Sequence, residues 1–266
     1  MPVDLNCDLG EAFGAYQMGS DSDVIAQVTS VNVACGLHAG DPLIMQETVL
    51  EAKKNGVAVG AHPGFPDLQG FGRRRMYLSP AEVEAYVLYQ VGALSAFLQA
   101  AGLRLQHVKP HGALYHMAAL DFELALAIGQ AIARFDSSVI YCGMAGSEMQ
   151  KAAAELGLRF AGEAFAERTY GADGLLVPRG HPGAVIENAA EAARRAVRMA
   201  KEGLVKAVDG SDVRVCADTI CLHGDNAHAV AVARQVRSFL EAAEVELLPM
   251  EQIVAHRPAA GSPSLG

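Results

Sequence analysis

At 266 residues the chain is long enough to bury a large core, and α/β barrels of about 250 residues commonly form one domain. With 51% of residues hydrophobic and 19% charged it is not a disordered chain, and a formal net charge of −9 argues against nucleic-acid or anionic-membrane partners. No apolar run reaches the roughly 18 residues of a membrane span, Met1-Pro2-Val3-Asp4 predicts no secretory leader, and five cysteines without CxxC spacing read as reduced thiols of a cytoplasmic protein.

In chain order, short apolar runs alternate with helical patterns, and the runs break into residues that can do chemistry. The first predicted strand, 3–7, leads into Asn6, Asp8 and Glu11. The second, 29–35, leads to Asn32, His38 and Asp41, and Asp41 before Pro42 caps a helix that stops before Gly56. The third, 57–61, ends at His62. A long loop over 62–78 follows, with Gly64, Gly70, Gly72 and the run Arg73-Arg74-Arg75. A charge run is usually a solvated face, but in a glycine-flanked loop Arg73 is a candidate bidentate clamp for an anion. Ser79-Pro80-Ala81-Glu82 has capping-box spacing, and the helix behind it carries Val83, Val87, Val91, Leu94 and Leu98 on one stripe up to Gly102.

The fourth strand, 105–109, gives Lys109, then His111 and Tyr115. Helices over 121–134 and 146–156 flank a fifth strand at 138–142. A sixth, 159–165, presents Glu163, with Glu167 and Arg168 opening a second long loop, 166–182. A helix over 184–202 ends at Gly203, a seventh strand over 217–222 leads to His223 and Asp225, and a helix over 226–242 follows. Residues 245–248 are a weaker eighth strand. A Pro, Gly and Ser-rich tail over 255–266 is expected to be disordered, which leaves 1–254 as one domain.

Successive βα units without a composition break predict an irregular parallel (βα) barrel of seven to eight strands, with an open doubly wound sheet as the alternative. In a barrel the strand ends converge on one mouth, where such enzymes build their active sites. Each residue alone also has a structural reading: Asp8 can cap a turn, His38 can bond a carbonyl, and Asp41 is a good helix cap. The joint pattern is costly for stability, and function is the usual compensation. Two chemistries are open. Asp8, His38 and His62 can hold a divalent metal, or carboxylate–imidazole and lysine–imidazole pairs can move protons without one. Lys109 can bind a carboxylate or phosphate, and His111 can act as acid or base. A thiol nucleophile at Cys7 or Cys35 is a minor reading. No GxxxxGK[ST] or GxGxxG motif occurs, and Trp is absent.

Six segments resemble the LamB/YcsF family, which supplies the A subunit of the prokaryotic ATP-dependent 5-oxoprolinase. They are Asp4–Glu11, Asn32–Asp41, Gly60–Asp67, Val108–Tyr115, Glu163–Tyr170 and Cys221–Asp225, and the similarity runs from Val3 to about Val254. Glu167 stands where the family is expected to carry Asp, and His181 where Gln is more usual. The resemblance implies a barrel like those of glycoside hydrolases and polysaccharide deacetylases. It implies opening of the 5-oxo-L-proline lactam to L-glutamate, coupled to MgATP consumption by a complex with subunits B and C. The expected catalytic set is Asp8, His38, His62, Lys109 and His111. The expected substrate contacts are Asn6, Glu11, Asn32, Arg73, Tyr115, Glu163, Arg168, His223 and Asp225. The rival functions are a metal-dependent deacetylase and a non-catalytic substrate-delivery subunit; self-association is left open.

Overall fold

The structure is a computed structural model that describes residues 2–16, 21–223 and 229–255. Six parallel strands follow one another: β1 (Asp4–Leu9), β2 (Ser30–Ala34), β3 (Ala58–His62), β4 (His107–Val108), β5 (Ile140–Met144) and β6 (Phe160–Phe165). An antiparallel pair, β7 (Leu204–Lys206) and β8 (Asp212–Arg214), stands apart from them. The last strand, β9 (Thr219–His223), pairs with β6 on one side and β1 on the other, so the sheet closes as a seven-stranded barrel. Closure rules out the open doubly wound alternative. It also explains why 245–248 is not an eighth strand: both edges of β1 are taken, and this segment keeps only a bridge between Val3 and Leu247.

Helices cover the barrel where capping residues foretell them. α1 (Asp21–Ile25) is short; α2 (Pro42–Asn55) starts at Asp41, whose carboxylate accepts from the Leu43 and Ile44 amides, and stops at Gly56 with φ 67°. α3 (Pro80–Ala101) carries the reciprocal Ser79–Glu82 capping box and buries its predicted stripe. α4 (Gly112–Ala118), α5 (Phe122–Asp136) and α6 (Glu148–Glu155) follow. α7 (Ala189–Glu202) begins five residues later than the pattern suggested, because the Asn188 side chain accepts from the Glu191 amide and sets the start there. α8 (Ala229–Ala242) and α9 (Met250–Val254) complete the set. Among the described residues no single helix is long and apolar enough to cross a membrane.

The barrel interior is polar where strands buried on both faces were expected to be apolar. Asp4, Asn6, Ser30, Asn32, His107 and Thr219 are all fully buried. They survive inside because each is hydrogen-bonded. Asp4 Oδ1 accepts from Ser30 at 2.6 Å, and Asn6 Nδ2 donates to Thr219 at 2.7 Å and to Glu163 at 3.1 Å. Asn32 Nδ2 donates to Asn6 at 2.6 Å and to Asp8 at 2.8 Å, while His107 Nε2 reaches Asn32 Oδ1 at 2.6 Å. Gly60 makes room for that imidazole: a Cβ there would lie 2.1 Å from His107 Nε2. A ladder of polar groups thus runs from the bottom of the barrel to Asp8 at its mouth.

Asp4 sets a pH dependence. Burial pushes its carboxyl up from 3.8 to about 6, against hydrogen bonds from Ser30, Thr219 and Thr29 that favour the anion. The folded state therefore holds this proton more tightly than the unfolded chain, so the stabilisation is complete below pH 3.8 and is lost as pH rises through about 6. The loss amounts to roughly 3 kcal/mol. Urea unfolding at several pH values should show wild type losing this much relative to Asp4→Asn across that window; parallel pH profiles would contradict it.

Candidate active site

Five strand ends and two loops build the mouth. Asp8 leaves β1, His62 ends β3, Lys109 follows β4, and His111 occupies the N-cap position of α4, which carries Tyr115. The rigid Pro110 separates Lys109 from His111, and the backbone runs on as a ladder rung, Lys109 N donating to Ala61 O at 2.9 Å. Together with Glu11, Arg73, Phe165 and Arg168 these residues line a cavity of about 720 Å³, walled on its outer side by Leu175, Leu176 and Val177. Both long loops therefore serve the cavity.

The floor is one buried carboxylate, Glu163, and one half-buried carboxylate, Asp8, around one ammonium. Lys109 Nζ lies 2.8 Å from Asp8 Oδ1 and 2.8 Å from Glu163 Oε1, and its side chain is 3% exposed. Burial opposes its charge, yet the Asp8 and Glu163 carboxylates outweigh burial and hold the ammonium well above the usual lysine value. Tyr115 is buried beside Glu163, and burial followed by the Glu163 charge pushes its phenol well up, so it stays protonated.

Above this floor sits a histidine cluster. Asp8 Oδ2 faces His62 Nε2 at 3.3 Å, and His62 Nε2 faces His111 Nδ1 at 3.0 Å. His38 stacks on His111 with ring centroids 3.7 Å apart, and its Nε2 lies 3.4 Å from Glu11 Oε1. Burial, then the His62 charge, holds the His38 imidazole well below its usual value; burial, then the charges of His38 and His62, does the same to His111. The loop glycines permit this packing, since a Cβ on Gly64 would meet His38 Nδ1 at 2.7 Å and one on Gly72 would meet both His38 and His111 at 2.8 Å. Glu11, His38, His62 and His111 each offer a ligand atom, all within 4.8 Å of one another.

The remaining predicted residues are placed differently. Asn6 and Asn32 lie beneath the floor and meet the cavity only through Asp8 and Lys109. Arg168 is buried and ties its own loop together, donating to Val177 O at 2.6 Å and Ala184 O at 3.3 Å; burial and the Arg179 charge lower its guanidinium to about 10. Arg73 lies over the Phe71 ring at 4.8 Å on the cavity rim. Asp41 is a helix cap. The His223 side chain and Asp225 lie outside the described residues, as does 256–266. Burial pushes the Cys35 thiol up to about 12 and the Cys7 thiol well above its usual value, which leaves both as packing groups rather than nucleophiles. Sequence reasoning missed Asp4 and His107 below the floor; Gly60, the one residue of β3 with no side chain, was the available sign of a large neighbour.

A closed parallel barrel with a carboxylate, ammonium and imidazole cluster in a cavity at its C-terminal mouth is the architecture of the (βα)-barrel enzymes. The chain belongs to the LamB/YcsF family, whose model matches residues 3–255. It is 53% identical over 250 residues to the A subunit of 5-oxoprolinase from Bacillus subtilis, covering 94% of this chain and 97% of the relative. A Pyrococcus furiosus protein of the same name is 53% identical over 254 residues, covering 96% of this chain and all of the relative. Among solved structures, the lactam utilization protein of Thermus thermophilus superposes with a TM-score of 0.89 at 54% identity, over 93% of this chain and 99% of that one.

Proposed function

We propose that this chain is the ring-opening component of a cytoplasmic 5-oxoprolinase, converting the lactam of 5-oxo-L-proline to L-glutamate in a complex with subunits B and C that consumes MgATP. Family membership and the names of relatives aligned over nearly their whole length support the reading. The observation that carries it is the Asp8 carboxylate held between Lys109 and His62 in a cavity roomy enough for the lactam.

Lactam hydrolysis needs a water activator, charge stabilisation at the carbonyl oxygen and a proton donor to the leaving nitrogen. Asp8 takes the proton from water, with Lys109 fixing its Oδ1 at 2.8 Å. Water adds to the ring carbonyl carbon, the carbon–nitrogen bond breaks, and the nitrogen takes the proton that Asp8 has removed from the water. An unstrained amide resists this attack. With no P-loop or dinucleotide fingerprint in the chain, the partner subunits activate the lactam by phosphorylating its carbonyl oxygen, and Arg73 on the rim meets the anionic group. Ring opening then leaves γ-glutamyl phosphate, which a second water hydrolyses to glutamate and inorganic phosphate. The expected behaviour is ATP-dependent glutamate release by the three-component mixture and none from this chain alone. Ring opening by the isolated chain without ATP would refute the division of labour.

A further inference from the structure

The proton positions in the histidine cluster can be read from its hydrogen bonds. His62 Nδ1 lies 2.7 Å from the Lys109 carbonyl oxygen, and His111 Nε2 lies 2.8 Å from the Phe71 carbonyl oxygen. A carbonyl only accepts, so each of these nitrogens carries the hydrogen, and in the neutral rings the opposite nitrogens carry lone pairs. Those two, His62 Nε2 and His111 Nδ1, point at each other across 3.0 Å. Glu11 Oε1 lies 3.5 Å from the same His111 nitrogen and 3.4 Å from His38 Nε2. His38 is fully buried, and neither of its ring nitrogens has a hydrogen-bond partner. Facing lone pairs and a buried imidazole without partners are costly unless something positive sits among them.

We propose that Glu11, His38, His62 and His111 form a binding site for one first-row divalent cation of the zinc class. Three imidazole nitrogens and one carboxylate oxygen are a donor set such ions favour. Tetrahedral ligation at about 2.0–2.1 Å places ligand atoms about 3.3–3.4 Å apart. Three of the six pairs lie close to that, at 3.0, 3.4 and 3.5 Å, and all six lie within 4.8 Å. The backbone carbonyls behind His62 and His111 are the outer partners that metal-bound histidines usually have, holding each ring in the tautomer that ligates. The set differs from the Asp8, His38 and His62 trio that the sequence suggested. Asp8 Oδ1 is taken by Lys109 and Asn32 and its Oδ2 faces one histidine, His62, at 3.3 Å, whereas Glu11 faces two of them, His38 and His111. The inference concerns binding alone and stands whether or not the chain opens lactams.

The test is titration of chelator-stripped protein with cobalt(II), read as visible ligand-field absorption and checked by elemental analysis after zinc loading. One ion per chain is expected, with an intense band typical of four-coordinate cobalt. The band should be lost in His38→Ala and in the milder Glu11→Gln, both folded by circular dichroism, and kept in Cys216→Ser, which removes the exposed thiol. No saturable band in wild type, or a band unchanged in both ligand variants, would overturn the site. A proton shared between His62 and His111 would then be what separates their lone pairs.

Discussion

Asp8→Asn should lower glutamate release by the reconstituted complex by about 10³-fold, within the range expected for loss of a general base. The substitution is close to a pure test of basicity. The asparagine oxygen can accept the bonds that Asp8 Oδ1 takes from Asn32 at 2.8 Å and Lys109 at 2.8 Å. Its amide can then donate to His62 Nε2, which lies 3.3 Å from Asp8 Oδ2 and carries the lone pair in the neutral ring. The thermal midpoint should therefore move by only a few degrees. Turnover within about tenfold of wild type would remove Asp8 as the base.

Lys109→Met should destabilise the fold by about 3–5 kcal/mol, the usual result of stripping one partner from a buried ion pair. Two carboxylates would be left facing each other: Glu163, 1% exposed, and Asp8, whose side chain is 13% exposed. Adding Glu163→Gln to Lys109→Met removes one orphaned charge and should recover about 1–3 kcal/mol of that loss, a coupling of the size contacting residues show. Denaturant midpoints of the wild type, both single variants and the double variant measure this. A loss below about 1 kcal/mol in Lys109→Met would mean that the ammonium is not the counter-charge of the floor.

Much of the scaffold can be read along the chain because its signals are local. Asp41-Pro42, Ser79 with Glu82, and glycines 56, 102 and 203 each act within one helical turn, and the helices start or stop where they stand. The seven strands are equally legible as short apolar runs. Elements too short to show a period escaped: α1, α4, α9 and the β7–β8 hairpin. So did the polar lining. Asp4, Asn6 and Asp8 alternate along β1, and Ser30 and Asn32 along β2, but read singly each passes for the end of a strand. What makes them an interior is pairing across the barrel, as when Thr219 meets Asp4 and Asn6.

The site divides along the same line. That Asp8, His38, His62, Lys109 and His111 end strands or follow them is visible in one dimension, and barrel closure brings all five to one mouth. Which of them touch is not visible. Lys109 joins Asp8 and Glu163 from 101 residues away on one side and from another sheet position on the other. Glu11, read as a substrate contact, lies against the histidines because the chain turns just past β1. Asn6 and Asn32, read in the same way, lie one layer too deep to reach the cavity directly.

The most direct test of the account follows labelled 5-oxo-L-proline in a mixture of subunits B and C with MgATP, to which this chain is added last. Glutamate should form only after the addition of wild-type chain, and at about one-thousandth of that rate with Asp8→Asn. Glutamate formed at full rate before the addition, or equally with either form of the chain, would place ring opening elsewhere in the complex.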